Sequence, residues 1–135
     1  MNKKILVLDF DGVIHSYSSG WKGIDVIPDL PVDGAIGFIV RAVEHFDVQI
    51  FSSRSSEYKG RDAMKNYLVT HLYNYFDGEM LSVNDVMSKI WFPVEKPPAF
   101  VSIDDRAIQF EGVFPSIEDL KMFKPWYQRE GVFAI

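Results

Sequence analysis

Short apolar runs along the chain alternate with longer segments in which apolar residues recur every three or four positions. Short runs rich in β-branched residues predict buried strands, whereas the wider spacing predicts amphipathic helices. Strands are therefore expected near residues 5–8, 48–51, 90–92 and 99–103, with helices near 33–45, 60–75 and 116–123, a helical turn at 82–87 and an edge strand at 132–135. Asp33 and Ser116 stand where helix N-caps are expected.

The alternation of strands with helices predicts an α/β fold with a mainly parallel sheet. We expect both faces of the sheet to be covered, in a Rossmann-like three-layer α/β/α arrangement. The sequence has no internal repeat, low-complexity segment or linker, and 135 residues are enough to bury one core. Residues 1–135 are therefore predicted to form a single domain.

A segment of turn-forming residues, approximately 14–31, directly follows the first strand. It is rich in Ser, Gly and Pro and contains only a few apolar residues, which predicts a small β-hairpin or flap. Because this flap begins where the first strand ends, we expect it to lie over or beside that strand end.

Composition argues against several classes of protein. The formal net charge of −5 disfavours a non-specific nucleic-acid binder, because no broad basic surface is available. The absence of cysteine excludes disulfides, thiolate metal sites and cysteine nucleophiles. No apolar run suits a signal peptide or a membrane span. We expect a soluble, cytoplasmic protein.

Three of the predicted strands end in polar residues that are capable of chemistry. These residues are Asp9 and Asp11 after the first strand, Ser52 and Arg54 after the second, and Asp104 and Asp105 after the last. Side chains alternate along an extended chain, so the first two carboxylates share one side of the backbone. Right-handed crossovers bring the carboxyl ends of parallel strands to one edge, where ligands bind. One site is predicted there.

Carboxylates gathered at such an edge suit a hard divalent cation with oxygen ligands, above all Mg²⁺. A carboxylate beside the cation can attack phosphorus and form an aspartyl-phosphate, because the cation neutralises the charge that would repel it. A second carboxylate can protonate the leaving oxygen and then deprotonate the attacking water. A hydroxyl and an ammonium group can hold the phosphoryl oxygens.

The order of these residues resembles the haloacid dehalogenase (HAD) superfamily. The resemblance is carried by Asp9-Phe10-Asp11-Gly12-Val13 after an apolar strand, Ser52 at the end of a later strand, a lysine, and Asp104-Asp105 after a further apolar strand. It covers nearly the whole chain, in order. More narrowly, Ser52-Ser53-Arg54 and Asp104-Asp105-Arg106 look like small phosphatase members, including the phosphatase domain of polynucleotide kinase.

The resemblance implies a role for each carboxylate. Asp9 would be the nucleophile and Asp11 the general acid and base. Asp9, the backbone carbonyl of Asp11 and Asp104 would bind Mg²⁺, with Asp105 ligating directly or through water. An aspartate two residues after the nucleophile favours phosphate-ester hydrolysis over dehalogenation, because the dehalogenating members lack that acid.

The resemblance also implies a phosphate-binding set. Its candidates are Ser52, Lys96, Gly12, Ser53 and Arg54. Lys96 is favoured as the lysine because Lys-Pro-Pro leads into the last strand, with Lys89 as the alternative.

Other polar and aromatic residues near the motifs have simpler interpretations. Arg54 either contacts substrate or has a structural role, such as ordering Asp105, since a guanidinium fits phosphate and carboxylate alike. His15 is interpreted as a loop histidine and not a catalytic one, with a substrate contact as the alternative. Arg106 is interpreted as the partner of a carboxylate, and Trp126 as a core residue.

The flap is too short to form a cap domain with a core of its own. The resulting open site resembles that of members acting on large substrates such as nucleic-acid ends, although a small phosphorylated molecule is the alternative. Two other functions stay open: a receiver-like phospho-acceptor module, and a binding protein that keeps the fold without catalysis.

Overall fold

A computed structural model describes residues 2–129. The strands are β1 (Ile5–Leu8), β2 (Asp47–Ile50), β3 (Ile90–Trp91) and β4 (Val101–Ile103). The helices are α1 (Ala35–Ala42), α2 (Tyr58–Tyr75), α3 (Met80–Ser88) and α4 (Ile117–Lys121), followed by a 3₁₀ turn at Trp126–Gln128. No helix among these residues is long and apolar enough to cross a membrane.

The four strands form one open parallel sheet in the order β3-β2-β1-β4. β1 lies centrally because its residues 5–8 are apolar at every position and can be covered on both sides, as central parallel strands require. Its register pairs Leu8 with Ile50 on one side and with Ile103 on the other. The ends of β1, β2 and β4 are thereby brought to the same edge of the sheet.

One hydrophobic core joins the sheet to the first three helices. Alternate strand residues that share a face, Leu6 and Leu8 of β1 with Val48 and Ile50 of β2, pack against buried residues from α1, α2 and α3. A single face follows from the topology, because successive right-handed crossovers that move in one direction place their helices on one side. The predicted α/β fold with a parallel sheet is confirmed.

The last described segment packs much less closely. All three residues of β4 are exposed, and α4 has no buried residue, although the predicted Ser116 cap is present, its hydroxyl accepting from the Asp119 backbone N–H at 3.0 Å. No helix within residues 2–129 covers the face opposite α1–α3 with buried side chains. The third layer therefore stays a prediction, and the edge strand expected at 132–135 lies outside the described residues.

Two helix boundaries differ from the prediction. Gly34, and not Asp33, is the N-cap of α1, and it makes no side-chain capping bond; its φ of 84° turns the chain in a way that favours glycine. The helix ends at Ala42 before a tighter turn in which His45 N–H bonds to Ala42 O. α3 is longer than expected because the Glu79 carboxylate accepts from the N–H groups of Leu81 and Ser82.

The flap at 14–31 is a closed loop without a regular hairpin. Its two ends pair at an antiparallel bridge between His15 and Pro31, supported by the backbone bond from Ser16 N–H to Leu30 O at 3.0 Å. Farther out, the Asp29 carboxylate accepts from the backbone N–H and hydroxyl of Ser19. The segment therefore has a fixed shape although it contains no strand.

We predict that Gly60→Ala destabilises the fold although alanine favours helices. A Cβ at Gly60 would collide with the backbone carbonyl oxygen of Arg54 and lie 3.0 Å from Ile24 Cγ1, so α2 would be pushed off the loop that follows β2. We expect a loss of about 1–3 kcal/mol in the free energy of unfolding, measured by urea denaturation.

Gly37→Ala in α1 is the matched control. There the nearest atom to an added Cβ is the flexible Arg41 Nη1 at 3.4 Å, and we expect a gain of about 0.5–1 kcal/mol from helix propensity. Equal effects of the two substitutions would contradict the close approach at Gly60.

Candidate active site at the carboxyl edge of the sheet

Three carboxylates meet where β1 and β4 end. Asp9 follows β1, whereas Asp104 and Asp105 follow β4, its direct neighbour in the sheet, and the Asp9 backbone N–H still bonds to Ile103 O at 3.0 Å. One oxygen from each side chain lies within 4.8 Å of the others. The predicted gathering of Asp9, Asp104 and Asp105 is therefore present in the structure.

The environment of Asp9 opposes its negative charge. The pKa of Asp9 is raised to about 8, first by burial and then by a hydrogen bond with Asp105 and the charges of Asp104 and Asp105, against the lowering effect of the Phe10 backbone N–H. That N–H donates to Asp9 Oδ1 at 2.8 Å. A carboxylate in this position would be stabilised by a bound cation, which removes the mutual repulsion.

A cavity of about 340 Å³ opens above these carboxylates. Its lining residues come from the ends of β1, β2 and β4, from the flap and from the 3₁₀ turn: Asp9, Asp11, Tyr17, Phe51, Ser52, Ser53, Asp104, Asp105, Arg106 and Tyr127. The volume lies near the lower end of the range for small-molecule sites. A larger cavity of about 620 Å³ lies between the flap and α2, but none of the three carboxylates lines it.

Asp11 is held by a buried arginine. Arg54 Nε lies 3.0 Å from Asp11 Oδ2, and its Nη2 donates to Asp11 Oδ1 at 3.1 Å. The Arg54 guanidinium is fully buried, and its Nη1 donates to the carbonyl oxygens of Gly23 and Ile24, both at 2.8 Å. The Trp21 ring covers the guanidinium at 4.6 Å. One side chain thus fixes both Asp11 and the flap.

His15 completes the support of Asp11. Its Nε2 accepts from the Asp29 backbone N–H at 3.0 Å, so that nitrogen carries no proton and Nδ1 donates to Asp11 Oδ1 at 2.9 Å. The ring is fully buried and packs edge-on against Tyr67, whose hydroxyl donates to Asp29 O. His15 therefore lies in the flap loop, as interpreted from the sequence, but it is buried, positions Asp11 and does not line the cavity.

The 3₁₀ turn forms a wall of the site. Trp126 Nε1 donates to Gly12 O at 2.6 Å, and the Tyr127 hydroxyl is hydrogen-bonded to Asp105 and accepts from Arg106 Nη2 at 3.2 Å. Gly12 has a φ of 82°, and a Cβ there would lie 2.5 Å from Tyr127 Cε1, so only glycine fits. Gly12 therefore serves close packing in this structure.

Sequence reasoning missed Tyr127 and misassigned Trp126 to the core. Both residues lie more than a hundred positions after Gly12 along the chain, and no spacing rule connects them. A signal is present in Pro125-Trp126-Tyr127, an aromatic cluster behind a helix-breaking proline after the last predicted helix. That composition predicts a turn but does not indicate what the turn contacts.

The structure brings some predicted phosphate-binding residues to the cavity and leaves others outside. Ser53 and Ser52 line it, although the Ser52 hydroxyl accepts from Arg54 N–H at 3.0 Å and points toward Met64 Sδ at 3.5 Å. Lys96 is exposed, does not line the cavity, and makes no hydrogen bond or ion pair within residues 2–129. The structure does not bring Lys96 to the site.

Lys89 and Arg54 are also poorly placed to bind phosphate. Lys89 precedes β3, at the opposite edge of the sheet, and pairs with Glu44 at 3.1 Å and with Asp85 at 3.2 Å. Those contacts raise the pKa of Lys89. The Arg54 guanidinium is buried against Asp11 and the flap, so of the alternatives left open for it the structure favours a structural role.

The donor set suits a hard divalent cation. All ligand atoms that Asp9, Asp104 and Asp105 offer are carboxylate oxygens, which hard cations prefer, and no histidine or thiolate joins them within the described residues. The raised pKa of Asp9, which is caused first by burial and then by its hydrogen bond with Asp105, shows that the site disfavours an uncompensated negative charge on Asp9. Comparisons with protein-family models, with curated proteins and with solved structures give no match.

We predict that metal-free protein loses stability as the pH rises from about 4 to about 8. The folded state keeps a proton on Asp9 that the unfolded chain, with a pKa of 3.8, has already released. The folded state thus binds more protons in this window, so the free energy of unfolding falls with rising pH.

Asp9→Asn should flatten this dependence and make the chain more stable than the unsubstituted protein near pH 8, measured by urea denaturation in the presence of a chelator. Asp62→Asn, at an exposed position on α2, is the control and should leave the slope unchanged. Identical slopes for the unsubstituted chain and Asp9→Asn would contradict the shift.

We further predict that Arg54→Met costs about 3–5 kcal/mol of stability, because it leaves the nearly buried Asp11 carboxylate without its partner. Arg54→Lys should be intermediate, since an ammonium keeps the charge but cannot make the forked contact. Arg61→Met is the control: Arg61 donates one hydrogen bond to Ser55 O, so about 1 kcal/mol is expected. Equal losses at the two positions, by thermal or urea unfolding, would argue against the Arg54 network.

Proposed function

We propose that this chain is a Mg²⁺-dependent phosphatase of the HAD type that hydrolyses a phosphate monoester through an aspartyl-phosphate. The observation that carries the proposal is the meeting of Asp9, Asp104 and Asp105 under a cavity that Asp11 also lines. The order of the motifs along the chain supports the same assignment. The complete three-layer architecture of that superfamily is part of the proposal.

Asp9 is the nucleophile in this mechanism. One of its carboxylate oxygens attacks phosphorus, the phosphorus–oxygen bond to the leaving group breaks, and an acyl phosphate forms on the side chain. Asp9 must be ionised to attack, yet its surroundings raise its pKa to about 8. Mg²⁺, when bound by Asp9, Asp104 and Asp105, would supply the positive charge that favours the ionised form and shields the incoming phosphoryl group.

Asp11 is the general acid and base. Its Oδ1 receives contacts from Arg54 Nε, Arg54 Nη2 and His15 Nδ1, whereas Oδ2 receives only the one from Arg54 Nε. Oδ2 is therefore the oxygen with room for a proton. It begins protonated and gives this proton to the leaving oxygen in the first step. In the second step it takes a proton from the attacking water, which releases phosphate, restores the Asp9 carboxylate and returns the proton to Asp11.

The flap leaves the cavity without a cap domain. Residues 14–31 fold back on their own ends and pack against Arg54 and Tyr67, with Tyr17 as the flap residue that lines the cavity. This arrangement supports a phosphate ester carried on a large molecule, such as a nucleic-acid end, with a small phosphorylated molecule as the alternative. Turnover of phosphorylated DNA and RNA ends against a panel of phosphorylated metabolites separates the two.

We predict release of inorganic phosphate from an aryl phosphate that requires Mg²⁺ and stops with a chelator. Asp9→Asn should abolish turnover because no nucleophile remains, and Asp11→Asn should lower kcat roughly 10²-fold or more. Asp77→Asn is the control, since Asp77 is exposed in the turn after α2 and its φ of 50° is one that asparagine also tolerates.

Turnover that survives both Asp9→Asn and Asp11→Asn would overturn the proposal. A phosphorylated Asp9 that persists without turnover would favour the receiver-like module. A folded chain that shows no Mg²⁺ binding by calorimetry would favour the non-catalytic alternative.

A further inference from the structure

The cavity above the carboxylates is strongly negative. Four of its lining residues are acidic, namely Asp9, Asp11, Asp104 and Asp105, and within the part of the chain that the structure describes Arg106 is its one cationic lining residue. A phosphate monoester carries up to two negative charges, so a cavity that receives one needs fixed positive charge besides the metal.

The other cations near the strand ends do not meet this need. The Arg54 guanidinium is fully buried and donates to Asp11 and to two flap carbonyl oxygens. Lys96 does not line the cavity, and Lys89 pairs with carboxylates at the opposite edge of the sheet. None of the three cations that the sequence analysis considered for phosphate binding, Arg54, Lys96 and Lys89, therefore lines the cavity.

Arg106 has both the position and the free donors. Its backbone N–H donates to Asp104 Oδ1 at 2.7 Å, which fixes the residue beside the carboxylates. Its side chain is 57% exposed, with Nε 3.9 Å from Asp105 Oδ2. Nη2 donates to the Tyr127 hydroxyl at 3.2 Å, and the other side-chain N–H groups make no hydrogen bond within residues 2–129. A guanidinium with free N–H groups can donate two parallel hydrogen bonds to a phosphate in a forked contact.

Tyr127 aims the guanidinium. Its ring packs edge-on against Tyr17 at 5.7 Å and against Trp126 at the same centroid distance, so the ring is held from two sides. Its hydroxyl bridges Asp105 and Arg106. The terminal bonds of the Arg106 side chain are thus restrained by a contact from the 3₁₀ turn.

We propose that Arg106 binds the phosphoryl group of the substrate and that Tyr127 is the positioning residue that directs it. This inference rests on the proposed phosphatase function and names the cation that the function needs. Arg106 contacts the substrate in the ground state and in the transition state alike, so its removal acts mainly on KM.

The first experiment compares Arg106→Gln and Arg106→Lys with Arg129→Gln, an exposed arginine that lies outside the cavity. We expect Arg106→Gln to raise KM for an aryl phosphate about tenfold or more with a smaller change in kcat, because a charge-assisted hydrogen bond is lost. Arg106→Lys should restore part of the affinity, whereas Arg129→Gln should behave as the unsubstituted chain does.

Direct binding supplies a readout that does not depend on turnover. Inorganic phosphate, the product, is titrated by calorimetry into each protein in the presence of Mg²⁺. Arg106→Gln should raise the Kd for phosphate by a factor similar to its effect on KM. Tyr127→Phe should raise this Kd less. In the double variant Tyr127→Phe should add nothing to Arg106→Gln, because a positioning residue acts only through the group it positions.

The outcomes separate this inference from the function on which it rests. Mg²⁺-dependent turnover with an unchanged KM and an unchanged phosphate Kd in Arg106→Gln would overturn the inference and leave the phosphatase intact. A rise in KM with Lys96→Gln and none with Arg106→Gln would also overturn it. A chain without turnover in which Arg106→Gln still weakens phosphate binding would overturn the proposed function and support the role of Arg106.

Discussion

The forked contact between Arg54 and Asp11 is the interaction that orders this molecule around its site. A guanidinium is costly to bury, and it is tolerated here because carboxylate and carbonyl oxygens satisfy its donors. These acceptors belong to the end of the first strand and to the flap, whereas the arginine belongs to the loop after the second strand. Flap, loop and strand end are therefore fixed relative to one another by one charge.

The two aspartates that open the site lie in opposite electrostatic surroundings. Asp11 contacts an arginine and a histidine, whereas Asp9 contacts Asp105 and lies near Asp104. Alternation along the strand places Asp9 and Asp11 on the same side of the backbone, at the same edge of the sheet. The positive charge beside Asp11 comes from the protein, whereas Asp9 requires positive charge from outside the protein. The two carboxylates of this motif thus have different electrostatic properties because of their neighbours, as the proposed roles of nucleophile and general acid require.

Local sequence pattern sufficed to predict the strands and the meeting of Asp9, Asp104 and Asp105, because apolar runs mark buried strands and parallel strands end at one edge. Local pattern failed to predict the start of α1, which a single backbone angle determines. The positive φ of Gly34 makes this residue the N-cap in place of Asp33. Local pattern also failed for side chains that act at long range. The contact of Arg54 with Asp11 spans 43 positions, and Arg106 meets Tyr127 across 21, separations on which helix and strand periodicity carry no information.

The hydrogen bond from Trp126 to the carbonyl of Gly12 joins residues 114 positions apart, nearly the full length of the described chain. Closing so long a loop is entropically unfavourable until the intervening sheet and helices have formed. On the ribosome, the cavity wall must therefore wait until the 3₁₀ turn at Trp126–Gln128 has been synthesised, after all the strands and helices that precede it. A nascent chain that ends between Asp105 and Trp126 would hold all three carboxylates but would lack the turn that encloses the cavity above them.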